Sequence, residues 1–264
     1  MNLKEMLHAR CQEMEIPMVG VADTERWNTP LFQPWVPEEF RPENIFPEAK
    51  SAVVIGLPIL LPILETAPSI WYHEHYKVVN QLLDQHTYRL AVWLTSLGFP
   101  SVFVPRDGYG SINVLLKNPV AFFSHRHAAV LAGLGTFGVN NTVLTPEFGP
   151  RVRFGTVLTA AELSPDPVIS DTLCTRCNLC VELCPQQALD GNDYPEGLTN
   201  KYACASRSAD LLKRHISPCG ICIKVCPVGR DRTQYKRKNP AAYHDDAEGN
   251  VPPGWKHVRE YGGG

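Results

Sequence analysis

The chain has 264 residues, 44% of them hydrophobic, and a formal net charge of -2 at neutral pH. That is enough for one large domain, or a medium domain plus a small one, with a substantial core, and it excludes a globally disordered chain. The near-neutral charge gives no global reason to expect nucleic acid or an anionic membrane as partner.

The first residues, MNLKEMLHARCQEM, are amphipathic and lack the apolar centre of a signal peptide. The longest apolar run, Ala52 to Leu64, is broken by Pro58 and Pro62 and is too short to span a bilayer. A cytoplasmic protein in a reducing compartment, with no membrane partner, is the expectation.

Leu3, Met6, Leu7, Arg10 and Met14 fall at helical spacing, so residues 2–15 are expected to form a helix. Met18 to Ala22 reads as a short strand. Residues 27–50 are rich in proline and aromatic side chains, among them Trp27, Phe32, Trp35 and Phe40, and are expected to be an ordered loop over the core. Ser51 to Leu57 (SAVVIGL) is a continuous β-branched run, the mark of a strand buried on both faces. Pro58 ends it, and the apolar loop to Ser69 is expected to line a pocket. Tyr76, Val79, Leu83, Leu90, Leu94 and Leu97 then set a helix over 71–97, stopped by Gly98.

Val102 to Val104 is a further short strand and Arg106 to Gly110 (RDGYG) a turn; the pattern over 111–123 is ambiguous. Ser124 is placed to cap a helix running through His127, Val130 and Leu131 to Gly133. After a glycine loop come two strand-like runs, Thr142 to Leu144 and Arg153 to Leu158. The order α-β-loop-β-α-β-α-β-β describes an α/β (α+β) domain over 1–163. Residues 164–170 (SPDPVIS) mark the boundary to a second domain over 164–232. A polar, basic tail over 233–264 follows, with roughly its last twenty residues expected to be loosely held.

The second domain is built on cysteine. Cys174, Cys177, Cys180, Cys184 and Pro185 form C-x2-C-x2-C-x3-C-P, and Cys219, Cys222, Cys226 and Pro227 repeat its end, with Cys204 between them. Two residues between cysteines let a short turn aim successive sulfurs at different irons of one cubane, while the cysteine before proline ligates the other cluster. The expected sets are Cys174, Cys177, Cys180 and Cys226 for one [4Fe-4S] cluster and Cys184, Cys204, Cys219 and Cys222 for a second. Paired zinc sites are the rival, since C-x2-C pairs also bind zinc. The third cysteine at the same interval and the two Cys-Pro endings favour iron and sulfur. Cys11 is left over and reads as a small buried thiol.

Other motifs carry less. GLGTFG (Gly133 to Gly138) fits G-x-G-x-x-G, but it follows a helix and opens a strand, the reverse of a dinucleotide site. His73 and His75, like His125 and His127, are two apart and cannot share a helix face. Arg89 stands where a cobalamin-ligating D-x-H-x-x-G motif would need glycine after Asp84 and His86. Tyr109, in the RDGYG turn, is either a proton donor near a pocket or a packed turn residue. Arg230, Arg232, Lys236, Arg237 and Lys238 form a basic run suited to an acidic electron donor, to RNA backbone, or to solvent.

The chain resembles the epoxyqueuosine reductases and their relatives, the cobalamin-dependent reductive dehalogenases. HAAVLAGLGTFGVNNTVLTPEFGPRVRFGTVLT (127–159) is similar to that superfamily's AGLG-x-x-G-x-N block, the double cysteine pattern with separated Cys204 is shared, and EHYKVV (74–79) looks like the start of its central helix. The resemblance implies a nitroreductase-like domain with a ferredoxin-like double [4Fe-4S] domain. It also implies a base-off cobalamin, with Tyr76, Gly133, Gly135, Thr136 and Asn141 at its site. Low-potential electrons from a donor such as ferredoxin or flavodoxin would pass through the clusters to cobalt and on to a small-molecule or nucleoside-like substrate. The alternative is a non-catalytic ferredoxin-like protein that docks a redox partner.

The chain also departs from that pattern. Pro119 and Val120 stand where epoxyqueuosine reductases carry an aspartate proton donor, Val139 replaces a usual lysine, and the C-terminal repeat region that engages tRNA is missing. Epoxide opening and tRNA are therefore not expected, and no catalytic residue is assigned.

Overall fold

The computed structural model describes residues 2–28, 36–239, 242–245 and 253–260. Residues 29–35 of the proline-rich loop, with Phe32 and Trp35, and the glycine-rich end lie outside the described residues. In chain order, α1 (Leu3–Glu13) and β1 (Met18–Asp23) lead to α2 (Pro42–Ile45) and β2 (Ser51–Pro58). α3 (Leu61–Leu64), α4 (Ile70–Ser96), β3 (Ser101–Val104), α5 (Ile112–Lys117) and α6 (His125–Leu131) follow. A hairpin of β4 (Thr136–Phe137) and β5 (Val143–Leu144) precedes β6 (Val152–Thr159). The cysteine-rich region adds α7 (Leu179–Glu182), α8 (Lys201–Lys213), α9 (Ile221–Lys224), α10 (Asp231–Gln234), α11 (Ala242–Asp245) and α12 (Pro253–Glu260).

The β-branched runs pair into an antiparallel sheet of order β1-β2-β6-β3. β2 is central, with Val53 opposite Val21 on one side and Val157 on the other. Its side chains alternate as a strand's must. Val53, Ile55 and Leu57 pack with Leu7 of α1 and with Leu83, Leu90 and Leu94 of α4. Ala52 and Val54 pack with Ala128, Ala129 and Leu131 of α6 on the opposite face. Each fully buried Leu or Ile contributes about 1.5–3 kcal/mol, so this helix–sheet–helix stack is the main source of stability and the frame for what lies at its end.

α4 begins where Ser69 Oγ accepts from Tyr72 N (3.1 Å), with Thr66 Oγ1 holding the same serine at 2.5 Å. Gly98, with φ of 93°, follows its last turn. Two expectations change, and one ambiguous stretch is resolved. The 58–69 loop holds α3, and Leu61, Leu64, Thr66, Ala67 and Ser69 are fully buried, so it is core and no pocket wall. Residues 111–123 contain α5, which packs on α8 of the cysteine-rich region. The tail is not loose throughout. Tyr243 is buried among Val139, Leu179, Ile221 and Val225, and its hydroxyl donates to Glu65. Arg259 Nε donates to the Thr66 carbonyl at 3.1 Å.

Two buried arginines fasten the regions together. Arg151, at 0% side-chain exposure, holds Asp231 through Nε (2.6 Å) and Nη2 (2.7 Å) and donates to the Cys226 carbonyl (3.0 Å). Arg232 donates to the same carbonyl (3.0 Å), to Tyr243 Oη (2.7 Å) and to Glu65 (3.4 Å). Breaking one buried pair by removing a partner costs about 3–5 kcal/mol, because a charge is stranded.

Candidate functional site

Both C-x2-C turns use one backbone device. Asn178 after Cys177 (φ 60°) and Gly220 after Cys219 (φ 74°) are left-handed, and each caps a single-turn helix, α7 or α9. The turn brings the second cysteine of each pair back towards the first. Cys184 and Cys226 lie beyond the ends of these helices and point to different partners.

The thiols lie in electrostatic reach of one another. Cys180 is in electrostatic reach of Cys226, Cys177 and Cys174. Cys222 is in reach of Cys204, Cys219 and Cys184, and also of Cys180 in the other set. Cys174, Cys177, Cys180 and Cys226 line one cavity with Val139, Asn140, Pro227 and Val228. Burial, then the neighbouring thiols, pushes Cys180 up to about 12. Burial pushes Cys226 up to about 11, against the pull of the Val228 N–H, Arg151 and Arg232. Thiols crowded this way ionise only when a cation shares their charge, as a coordinated metal does. Among the described residues no three His, Cys, Asp or Glu side chains are grouped to hold a single ion; Cys174, Cys177, Cys180 and Cys226 instead line a common cavity. An all-sulfur donor set of this composition fits iron–sulfur ligation. Cys11 stands apart, buried in the core with Leu7 and raised to about 12 by burial.

A ring of side chains from the sheet domain adjoins the set of Cys184, Cys204, Cys219 and Cys222. Tyr72 packs on Gly220, and the charges of Cys222 and Cys219 reach it. The Arg153 guanidinium lies 4.6 Å from the centroid of Tyr76. Its Nε donates to Asn80 Oδ1 (3.0 Å) and its Nη2 to Asp107 Oδ1 (3.3 Å). Tyr109 Oη donates to the same oxygen at 3.3 Å. Burial, followed by Tyr76 and Asp107, raises the Tyr109 hydroxyl above its ordinary value, so it keeps its proton at neutral pH. His125 is held at about 4 chiefly by burial, and its two ring nitrogens meet Thr156 Oγ1 (2.8 Å) and the Pro105 carbonyl (3.0 Å). Arg126 donates to the Asn141 carbonyl and lies in reach of Cys204 and Arg153.

Of the five residues expected at a cobalamin, Tyr76 alone faces this ring. A Cβ at Gly133 would strike the Pro167 carbonyl, and one at Gly135 the Leu144 carbonyl. Those glycines make room for the chain's own backbone. Thr136 Oγ1 accepts from Leu173 N (3.0 Å), one residue before Cys174, and Asn141 Nδ2 donates to the Gly197 carbonyl (2.9 Å). The glycine block is thus a seat for the cysteine-rich region, with Val139 and Asn140 against the first cavity. It does follow a helix, α6, and open a strand, β4, as its place in the chain predicts. Sequence reasoning missed Tyr72, Asp107, Arg126 and Arg153. The signal for Arg153 was present: an arginine inside an otherwise apolar strand needs a partner.

These features define an iron–sulfur protein. Residues 167–190 match the family described as 4Fe-4S binding domain. The chain is similar to a tetrachloroethene reductive dehalogenase of Desulfitobacterium hafniense, 28% identical over 200 residues that cover 70% of this chain and 34% of the relative. It is also similar to an epoxyqueuosine reductase of Listeria monocytogenes, 32% identical over 128 residues that cover 44% of this chain and 31% of the relative. The chain spans about a third of the length of these relatives. In fold it matches a solved reductive dehalogenase with a TM-score of 0.61 at 18% identity, over 87% of this chain and 34% of that one. The mixed α/β fold with an iron–sulfur appendage is therefore the one expected.

Proposed function

We propose that the protein is an iron–sulfur oxidoreductase that relays single low-potential electrons through two [4Fe-4S] clusters to an acceptor held against Tyr76, Tyr109 and Arg153. The observation that carries this reading is the contact of Gly220, between Cys219 and Cys222, with Tyr72 on α4. It sets the second group of thiols directly beneath the ring of half-buried side chains. An acidic carrier such as ferredoxin or flavodoxin would deliver the electrons at an exposed cysteine, Cys177 of the first set or Cys204 of the second.

The residues divide the work by chemistry. Tyr109 keeps its proton and can deliver it from Oη to a carbanion or alkoxide formed on reduction. Asp107 orients that hydroxyl and Arg153 together. Arg153 offers positive charge to developing negative charge on the substrate.

A base-off cobalamin is the acceptor favoured by the relatives, which include a solved reductive dehalogenase of B12-dependent dehalogenation. When bound it would supply a strongly reducing, nucleophilic cobalt. The fit to this chain is partial. Tyr76 offers a half-buried aromatic face that would pack on the cofactor, and both ring nitrogens of His125 are engaged within the protein. The glycine-block residues are committed to packing, so Tyr76, Arg153 and the turn at Tyr109 would hold it.

Anaerobic titration of the reconstituted protein with cob(II)alamin tests the reading. A base-off Co(II) EPR signal at one corrinoid per chain supports it. Two reducible clusters with no change in the corrinoid spectrum would leave a ferredoxin-like carrier.

A further inference from the structure

We propose that α8, on the side that carries Cys204, is the docking face for an acidic one-electron carrier protein. The inference rests on the two-cluster oxidoreductase reading above and decides which exposed cysteine meets the carrier. Lys201 and Arg207 stand one turn before and one turn after Cys204, so all three share a side of the helix. Arg214 follows Arg207 by two further turns, on the same side, where the helix ends. Lys201 and Arg214 are exposed and enter no ion pair among the described residues. The one carboxylate of α8, Asp210, is held by Lys213 at 2.8 Å and lies also in reach of Arg207. Residues 201–215 thus carry Lys201, Arg207, Lys213 and Arg214 against Asp210, a net charge of +3. The helix also exposes Tyr202 and Leu212, and α5, packed against it, exposes Leu116 and Lys117.

The other exposed cysteine has the opposite surroundings in the chain. Residues 167–200, which carry Cys177, hold Asp171, Glu182, Asp190, Asp193 and Glu196 against Arg176, a net charge of -4, and Arg176 is itself paired with Asp193. The basic run that opens the tail is largely engaged: Arg232 with Glu65 (3.4 Å), Arg230 with Glu147, and Arg237 over the Trp255 ring at 6.0 Å. An acidic carrier is therefore drawn to α8 and repelled at Cys177. Attraction of this kind raises association rates by about 10–10³-fold and weakens with salt. It suits a carrier that must deliver one electron and leave. In that step the reduced carrier loses one electron to the cluster of Cys184, Cys204, Cys219 and Cys222; no bond forms or breaks and no proton moves.

Stopped-flow reduction of the full chain, made anaerobic and loaded with iron and sulfide, by a reduced acidic ferredoxin tests the proposal. The second-order rate constant should fall steeply from low to high salt. Lys201→Glu combined with Arg214→Glu should lower it by about tenfold or more at low salt and flatten its salt dependence. Lys117→Glu, on a different helix, should act in the same direction. Lys236→Glu combined with Lys238→Glu, which changes the net charge by the same amount on the tail, should leave the rate within about twofold. Photoreduced deazariboflavin, a small neutral reductant, should reduce the wild type and all variants equally, which ties the loss to docking. An undiminished ferredoxin rate in the α8 variant, or a larger loss in the tail variant, would overturn the proposal. So would an unchanged rate accompanied by lost affinity for a labelled RNA hairpin, which would make α8 a nucleic-acid face. A wild-type chain with fewer than two reducible clusters would instead defeat the two-cluster reading itself.

Discussion

Gly220 and Tyr72 meet so closely that no side chain fits between them: a Cβ on Gly220 would stand 2.7 Å from Tyr72 Cε1. The glycine lies between Cys219 and Cys222 and the tyrosine on the first turn of α4, a helix anchored along the central sheet. One contact therefore fixes the distance between the thiols and the sheet domain. Tyr72 is itself 1% exposed, with no room to retreat.

Gly220→Ala should consequently be severe. Alanine in the left-handed region costs about 1–2 kcal/mol, and the methyl group must also displace the Tyr72 ring. Loss of the second cluster's EPR signal with the first retained is the expected result. A variant with both signals and an unchanged melting temperature would show that the contact yields easily.

The crossed sets make a paired prediction. Cys177→Ser should remove or convert the first cluster and leave the second, and Cys204→Ser should do the reverse. Iron analysis and EPR on the two purified variants read this directly. Full iron content in Cys177→Ser would undo the ligand assignment.

Tyr243 ties the far end of the chain to the cluster region. Tyr243→Phe removes the hydroxyl shared with Glu65 and Arg232 and should cost about 0.5–1.5 kcal/mol. Tyr243→Ala opens a cavity in the core around Leu179 and Val225 and should cost about 3–5 kcal/mol, as for other large aromatic truncations. Urea midpoints give both values. Truncation before residue 242 should lower iron retention for the same reason.

Stability should fall with acid because of His127. Burial, then Arg126 and Lys201, holds it at about 3 in the folded chain, against 6.5 for the free group. Between those values the unfolded chain binds the extra proton, so stability is full above about pH 6.5 and declines on acidification at up to about 1.36 kcal/mol per pH unit. The difference in urea midpoint between wild type and His127→Gln, followed from pH 7 to 5, isolates this from acid damage to the clusters. A constant difference would mean that His127 takes up its proton at the same pH in the folded and unfolded chains.

The spacing of the cysteines, the β-branched runs and the 3.6-residue period of α4 are local properties, and each specified its element without help from the rest of the chain. Ser124 and Gly98 likewise marked helix ends through their own backbone chemistry. Residues 164–170 read as a boundary because proline and polar residues carry no periodicity. What tertiary structure decided is where those elements face. Gly133 and Gly135 read as space for a ligand, but the space is taken by the Pro167 and Leu144 carbonyls. The 58–69 loop read as a pocket wall, but the Lys224 ammonium caps the Ala67 carbonyl at 3.3 Å and Arg232 reaches Glu65, so it is buried beneath the cluster region. The convergence of Tyr76, Asp107, Tyr109 and Arg153 joins residues from a helix, a turn and a strand. No sequence interval encodes it, because side-chain direction at long range depends on the packing of α4 and the register of β6 in the sheet.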